Sequence, residues 1–288
     1  MIPAEAFALA CGFFTAVNLT FLKKGLAHGN PISATLLSLA INVLCFWSFV
    51  LAVLPWDEIL RPELLIFVLV GVIQPGGTRF LAYLSVEKVG VAVTAPIRAT
   101  TPLFSSLLAI AVLGEQLTPA VGAGTALVVG GITLLSLSEE KSGAWMNILV
   151  TLPLLSAFVA GSTQVIRKIG LAGISLPILG AATTTGTSLV AIALSLTVSR
   201  NWSMVRFHRR ALGYFILAGC SVTLGVASIF MSLHLSDVVI VAPLASLSPL
   251  YSLVLSAIFL RDVEVITTRK VVAAGLIVVG VVMITAIR

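Results

Sequence analysis

Apolar runs of about a helix-span each, separated by short polar connections, fill nearly the whole of this 288-residue chain. A helix needs ~20 apolar residues to cross a bilayer core. On that criterion ten spans are expected, over residues 3–22, 31–55, 62–84, 89–113, 118–137, 145–166, 175–198, 211–235, 238–260 and 268–287. Each is expected to be helical, because a lipid-exposed backbone has to satisfy its own hydrogen bonds. The runs are too long and unbroken for the alternating strands of a membrane β-barrel. No cation precedes the first run, and Lys23 and Lys24 follow it, so it reads as a first span and not as a secretory leader.

The pattern repeats. In Val91 to Glu115, VAVTAPIRATTPLFSSLLAIAVLGE, the residues Pro96, Pro102, Leu103, Ser105 and Leu113 recur 147 positions later as Pro243, Pro249, Leu250, Ser252 and Leu260. Phe67, Leu69, Gly71 and Gly77 recur at 148 as Phe215, Leu217, Gly219 and Gly225. Lys23-Lys24-Gly25-Leu26-Ala27 ends the first run as Arg167-Lys168-Ile169-Gly170-Leu171-Ala172 ends the sixth, and Val128-Val129-Gly130 is echoed by Val278-Val279-Gly280. These matches divide the chain into repeats over 1–141 and 142–288. Five spans is an odd number, so the two repeats are expected to lie in the membrane with opposite orientation. The expected fold is an all-α polytopic membrane protein, ten transmembrane helices in two five-helix inverted-topology repeats around a central cavity.

Composition agrees: 59% of residues are hydrophobic, 10% are charged and the mean hydropathy is +1.14, which excludes an ordinary soluble domain. A net charge of +6 would prompt a nucleic-acid reading in a soluble protein, but here the cations fall mostly in the connections. Connections after the odd-numbered spans hold eleven: Lys23, Lys24, Lys88, Lys141, Arg200, Arg206, Arg209, Arg210, Arg261, Arg269 and Lys270. Arg61, Arg167, Lys168 and Arg288 are counted on the other side. The positive-inside rule then places both termini outside. Cys11, Cys45 and Cys220 all sit in apolar runs, which argues against a disulfide framework.

Arg98 stands near the middle of its span, where a cation costs ~2.5–3.5 kcal/mol on the mildest insertion scale and usually has a use. Its repeat counterpart is Ala245. Thr94, Arg98, Thr101 and Ser105 form one polar stripe at helical spacing, and Ser248, Ser252 and Ser256 form another on the counterpart helix. The two stripes are expected to face a shared interior space. Pro102 cannot donate to the carbonyl of Arg98, nor Pro249 to that of Ala245, so kinks are expected at matching depths. With Pro96, Pro243, Gly76, Gly77 and Gly225 these prolines are the candidate hinges. Arg79 and Tyr83 follow the Pro75-Gly76-Gly77 interruption; Arg79 lies near a span end, where snorkelling to the interface is the plainer role. Asn18, Gln164 and Thr187 are further candidates for a cavity lining, against helix-to-helix hydrogen bonding as the plainer alternative. Tyr251 offers either an aromatic face to a substrate or simple packing. No metal-ligand spacing, cofactor motif or nucleophile–base pair occurs, and all eleven carboxylates lie in connections or at span ends. A cationic substrate would find no buried counter-ion.

Pro102-Leu103-Phe104-Ser105 with Leu113-Gly114-Glu115, and Pro249-Leu250-Tyr251-Ser252 with Leu260-Arg261-Asp262, resemble the paired motifs of the drug/metabolite transporter superfamily, in particular its ten-helix exporters with two EamA-type repeats. The second ending departs from the usual Gly-Glu. The resemblance implies a non-enzymatic inner-membrane exporter of small metabolites, most closely the aromatic amino-acid branch, with both termini inside, contrary to the charge count. The expected activity is export of amino acids, including aromatic and apolar ones, by alternating access, with Arg98 meeting the substrate carboxylate. Multidrug, sugar-phosphate or nucleotide-sugar transport on the same fold is the alternative. The partners expected are a small-molecule substrate and the lipid bilayer, not nucleic acid. No oligomeric state is implied, and a monomer suffices.

Overall fold

A computed structural model of the protein describes residues 3–54, 59, 61–74, 78–89, 91–136, 151–259 and 268–286. Among the described residues all regular structure is helical. In chain order the helices are α1 (Ala4–Leu26), α2 (Pro31–Val53), α3 (Leu64–Val72), α4 (Thr78–Val89), α5 (Val91–Arg98), α6 (Thr101–Leu108), α7 (Pro119–Ser136), α8 (Thr151–Leu171), α9 (Pro177–Val198), α10 (Arg209–Leu235), α11 (Val238–Ala245), α12 (Ser248–Phe259) and α13 (Thr268–Ala286). Eight stretches among them are long and apolar enough to cross a membrane. The expected third span is described as two shorter helices, α3 and α4, and Gly76 and Gly77 lie outside the described residues. The sixth span is expected at 145–166. It is described from Thr151 and continues to Leu171, so Arg167 and Lys168 belong to a helix and not to a connection.

Local chemistry fixes several helix ends. Asn30 precedes Pro31 and its side chain accepts from the Ser33 amide at 2.8 Å, an N-cap followed by proline in the first turn. After α6 the chain passes through a π turn, Ala109–Leu113, and ends at Gly114 with φ 68°, a left-handed stop that glycine adopts without strain. That turn delivers the Glu115 carboxylate to the start of α11, where Oε1 accepts from the Val238 amide at 2.9 Å and Oε2 from the Val239 amide at 3.0 Å. Two otherwise orphaned helix donors are thereby satisfied.

Two spans are interrupted. α5 stops at Arg98 and α6 starts at Thr101; α11 stops at Ala245 and α12 starts at Ser248. Each interruption stands just ahead of Pro102 or Pro249, and the two are 147 residues apart.

Close packing is glycine-mediated. A Cβ on Gly25 would lie 2.5 Å from the Phe215 ring, and one on Gly170 would lie 2.7 Å from the Phe67 ring. Both phenylalanines are fully buried. α7 and α13 cross so tightly that a Cβ on Gly124 would meet the Gly280 carbonyl at 2.7 Å, and one on Gly280 the Gly124 carbonyl at 2.6 Å. Backbones approach this closely in membrane proteins where small residues line the contact. Leu44, Leu107, Val190 and Val198 point outward with 64–78% relative exposure, as a lipid-facing surface requires.

Candidate functional site

Interior space lies among the interrupted helices. A cavity of about 290 Å³ is bounded by α2, α8, α9, α10 and the residues around the α3 end and the α5 end. Its polar lining comprises Thr35, Ser38, Asn42, Gln74, Thr78, Arg98, Arg167, Thr184, Thr185 and Ser188. A second cavity, about 190 Å³, is lined by Cys11, Thr101, Pro102, Ser105, Gln164, Arg167 and Ser246, among others. A third, about 530 Å³, takes in Leu19, Thr94, Arg98, Thr101, Ser136, Ser246, Ser248 and Pro249. No carboxylate lines any of the three among the described residues.

Arg98 ends α5, and its exposed side chain lines both the 290 and the 530 Å³ cavities. Thr94, one turn earlier, is buried and its hydroxyl has no partner among the described residues. Thr101 Oγ1 donates to the Arg98 carbonyl at 2.7 Å, filling the place left by the missing Pro102 donor. Ser105 Oγ donates to the Pro102 carbonyl at 3.0 Å. The two stripes meet in part: Thr94, Arg98, Thr101 and Ser248 share the 530 Å³ cavity, whereas Ser252 lines none of the three.

Arg167, expected in a connection, lies instead inside α8 and lines two of the cavities. From the last turns of α8 it points inward. Nη2 donates to Gln74 Oε1 at 2.5 Å, Nη1 donates to Gln164 Oε1 at 3.3 Å, and the guanidinium carbon stands 5.4 Å from the centre of the Phe230 ring. Its Nε has no partner among the described residues. Lys168, also counted in a connection, turns away, and its Nζ donates to the carbonyls of Leu233 and Ser236 at 2.8 and 2.9 Å, closing the end of α10. Gln164 and Arg167, three apart, share a helix face, but that spacing does not say which way the face points.

The rest of the cavity wall is pinned by neutral hydrogen bonds. Ser188 Oγ lies 2.7–2.9 Å from the carbonyls of Gly71, Gln74 and Thr184, so α9 holds the end of α3. Asn42 Oδ1 accepts from Thr223 Oγ1 at 2.5 Å.

Other candidates fall elsewhere. Asn18 Nδ2 donates to the Ala218 carbonyl at 2.8 Å, tying α1 to α10 outside the cavities. Tyr251 packs edge-on to Phe13, ring centres 5.8 Å apart. Thr187 crowds Gly71, whose added Cβ would come within 2.7 Å of it. α10 runs unbroken through Gly225, which sits against Phe14 and Cys11 of α1. Pro96 and Pro243 are buried inside α5 and α11. The side chains of Arg79, Tyr83 and Ser256 lie outside the described residues.

A helical membrane protein with polar cavities that carry arginines and no carboxylate among their described linings has the architecture of a solute-moving membrane protein. The chain belongs to the EamA-like transporter family, which it matches over residues 2–137 and 146–286. This is a family of transporters, not of enzymes. Phosphoenolpyruvate/phosphate translocator 1, chloroplastic, of Oryza sativa subsp. japonica is 28% identical over 160 residues, covering 54% of this chain and 38% of that protein. The Arabidopsis thaliana protein of the same name is 34% identical over 128 residues, covering 44% and 30%. The match thus spans well under half the length of either relative. A solved crystal structure superposes with a TM-score of 0.81 at 17% identity, covering 99% of this chain and 96% of that one, a likeness of fold.

Proposed function

We propose that this chain carries small organic anions, bearing a carboxylate or a phosphate, across a cell's inner membrane by alternating access. The observation that carries the reading is the 290 Å³ cavity lined by both Arg98 and Arg167 with no carboxylate among its described lining. An anion entering it gains charge-assisted hydrogen bonds. A cationic drug would meet like charge, and the ammonium of an amino acid would find no counter-ion. The relatives named for phosphoenolpyruvate and phosphate support the same class. Amino-acid export, the expectation from sequence, stays within reach only through the substrate carboxylate. The division at 1–141 and 142–288, read as two inverted five-span halves, supplies the moving parts, with the interruptions ahead of Pro102 and Pro249 as the points that bend.

Exchange of labelled phosphate or phosphoenolpyruvate in proteoliposomes tests this against a panel of amino acids and a lipophilic cation. Anions are expected to move and the cation not. In Arg98→Gln the anion rate is expected to fall by roughly 10- to 100-fold, as for loss of a charged hydrogen bond worth ~1.5–3 kcal/mol. Movement of the cation or of neutral amino acids in preference to anions would sink the reading.

A further inference from the structure

The two arginines stand at different depths. Along α1 the 530 Å³ cavity reaches Leu19 and the 190 Å³ cavity reaches Cys11, eight residues or ~12 Å away on a helix. On the other interrupted span both cavities touch Ser246 in the break, the first extending on to Ser248 and Pro249 and the second back to Ala242. Arg98 lines the 530 and 290 Å³ cavities; Arg167 lines the 290 and 190 Å³ cavities. The 530 and 190 Å³ cavities also meet directly at Thr101, Pro102 and Ser246, and the 290 Å³ cavity joins the first at Arg98 and the second at Arg167.

We propose that Arg167 is a second anion-binding residue on this path, and that a substrate oxyanion takes over the bond its guanidinium makes to Gln74. The inference rests on the carrier reading of the cavity. A cation inside a protein ordinarily has a carboxylate partner, because desolvation is expensive. Arg167 has instead two neutral amide oxygens, an aromatic face and an Nε with no partner among the described residues. Such a set holds the guanidinium in place while leaving it short of charge compensation. Carboxylate and phosphate offer two oxygens in the planar geometry that matches the guanidinium fork, with stronger bonds than an amide can give. Gln74 is the partner to be displaced, since Gln164 lies on the same helix as Arg167 and moves with it. Displacement undoes a side-chain tie between α8 and the end of α3, so arrival of the anion and loosening of those two elements are one event.

Cys11 lines the 190 Å³ cavity together with Arg167 and serves as the reporter. In a Cys45→Ala/Cys220→Ala background reconstituted in liposomes, the rate of Cys11 modification by N-ethylmaleimide is followed against inorganic phosphate. Phosphate is expected to slow modification in the background protein. In Arg167→Gln modification is expected to continue but to lose its response to phosphate, and Arg167→Lys, a point charge without the fork, to show a weaker response. Gln74→Leu removes the competitor and is expected to lower the phosphate concentration for half-protection by roughly threefold or more. Should Arg167→Gln fail to fold, Gln74→Leu decides. Unchanged half-protection in either variant, or no protection in a background protein that moves phosphate, overturns the second site while leaving the carrier reading intact. A background protein that moves no anion overturns the carrier reading itself.

Discussion

Single glycines set how closely these helices approach, and they make a signed prediction. Gly25 and Gly170 each press against a fully buried phenylalanine ring, Phe215 and Phe67, so one added methyl has nowhere to go. Overpacking of this kind costs ~1–3 kcal/mol. Gly130 and Gly213 lie in helices with nothing within 4 Å of an added Cβ. There alanine is expected to stabilise, by the ~0.5–1 kcal/mol of its better helix propensity. Thermal unfolding of the four purified Gly→Ala variants in detergent should therefore give two lowered and two unchanged or raised midpoints. Equal midpoints for Gly25→Ala and Gly213→Ala would refute the packing argument. Sequence made part of this legible: the match of Phe67 with Phe215, and of the two Gly-Leu-Ala span ends at Gly25 and Gly170, singled out the right residues. It did not say which phenylalanine meets which glycine, because partner choice depends on how non-neighbouring helices cross.

Among elements, α11 depends on a residue over 120 positions away in the chain. The Glu115 carboxylate receives both Val238 and Val239 amides, combining an N-cap with a favourable charge at the positive end of the helix. Glu115→Ala is expected to cost ~1–2 kcal/mol, and Glu115→Gln less because one acceptor oxygen remains. Unfolding midpoints of the two variants check the order, and a Glu115→Ala protein as stable as the parent would show the cap to be idle. The interruptions of the α5–α6 and α11–α12 spans were readable from Pro102 and Pro249, since a missing amide is a local property of the chain. The role of Arg167 was not. A cation a few residues from the end of an apolar run reads as interfacial by position, and only the extra turn of α8, to Leu171, with Gln74 opposite, shows that it turns inward. Asn18 and Tyr251 show the converse, since polarity inside a span does not say whether the side chain meets a cavity or, as the bond to Ala218 and the packing on Phe13 have it, a neighbouring helix.

For the whole molecule, the inward turn of Arg167 changes the charge balance between the faces. Arg167 leaves the count because it lines interior cavities, whereas Lys168, bonded to the carbonyls at the end of α10, stays in it. Arg61, Lys168 and Arg288 then stand against eleven cations on the other side. The positive-inside bias is slightly steeper for it, and it favours a cytoplasmic location for the basic stretch that leads into α10. With Cys11, Cys45 and Cys220 replaced by alanine, a single cysteine at Arg209, an exposed position at the start of α10, is expected to be protected from a membrane-impermeant thiol reagent in intact cells. One at Arg61, exposed on the opposite face, is expected to react. The reverse labelling would show that the packing of the helices, and not the distribution of loop cations, sets the orientation. It would also exchange which of Arg98 and Arg167 a cytoplasmic anion meets first, since Arg98 borders the cavity that reaches Leu19 and Arg167 the one that reaches Cys11.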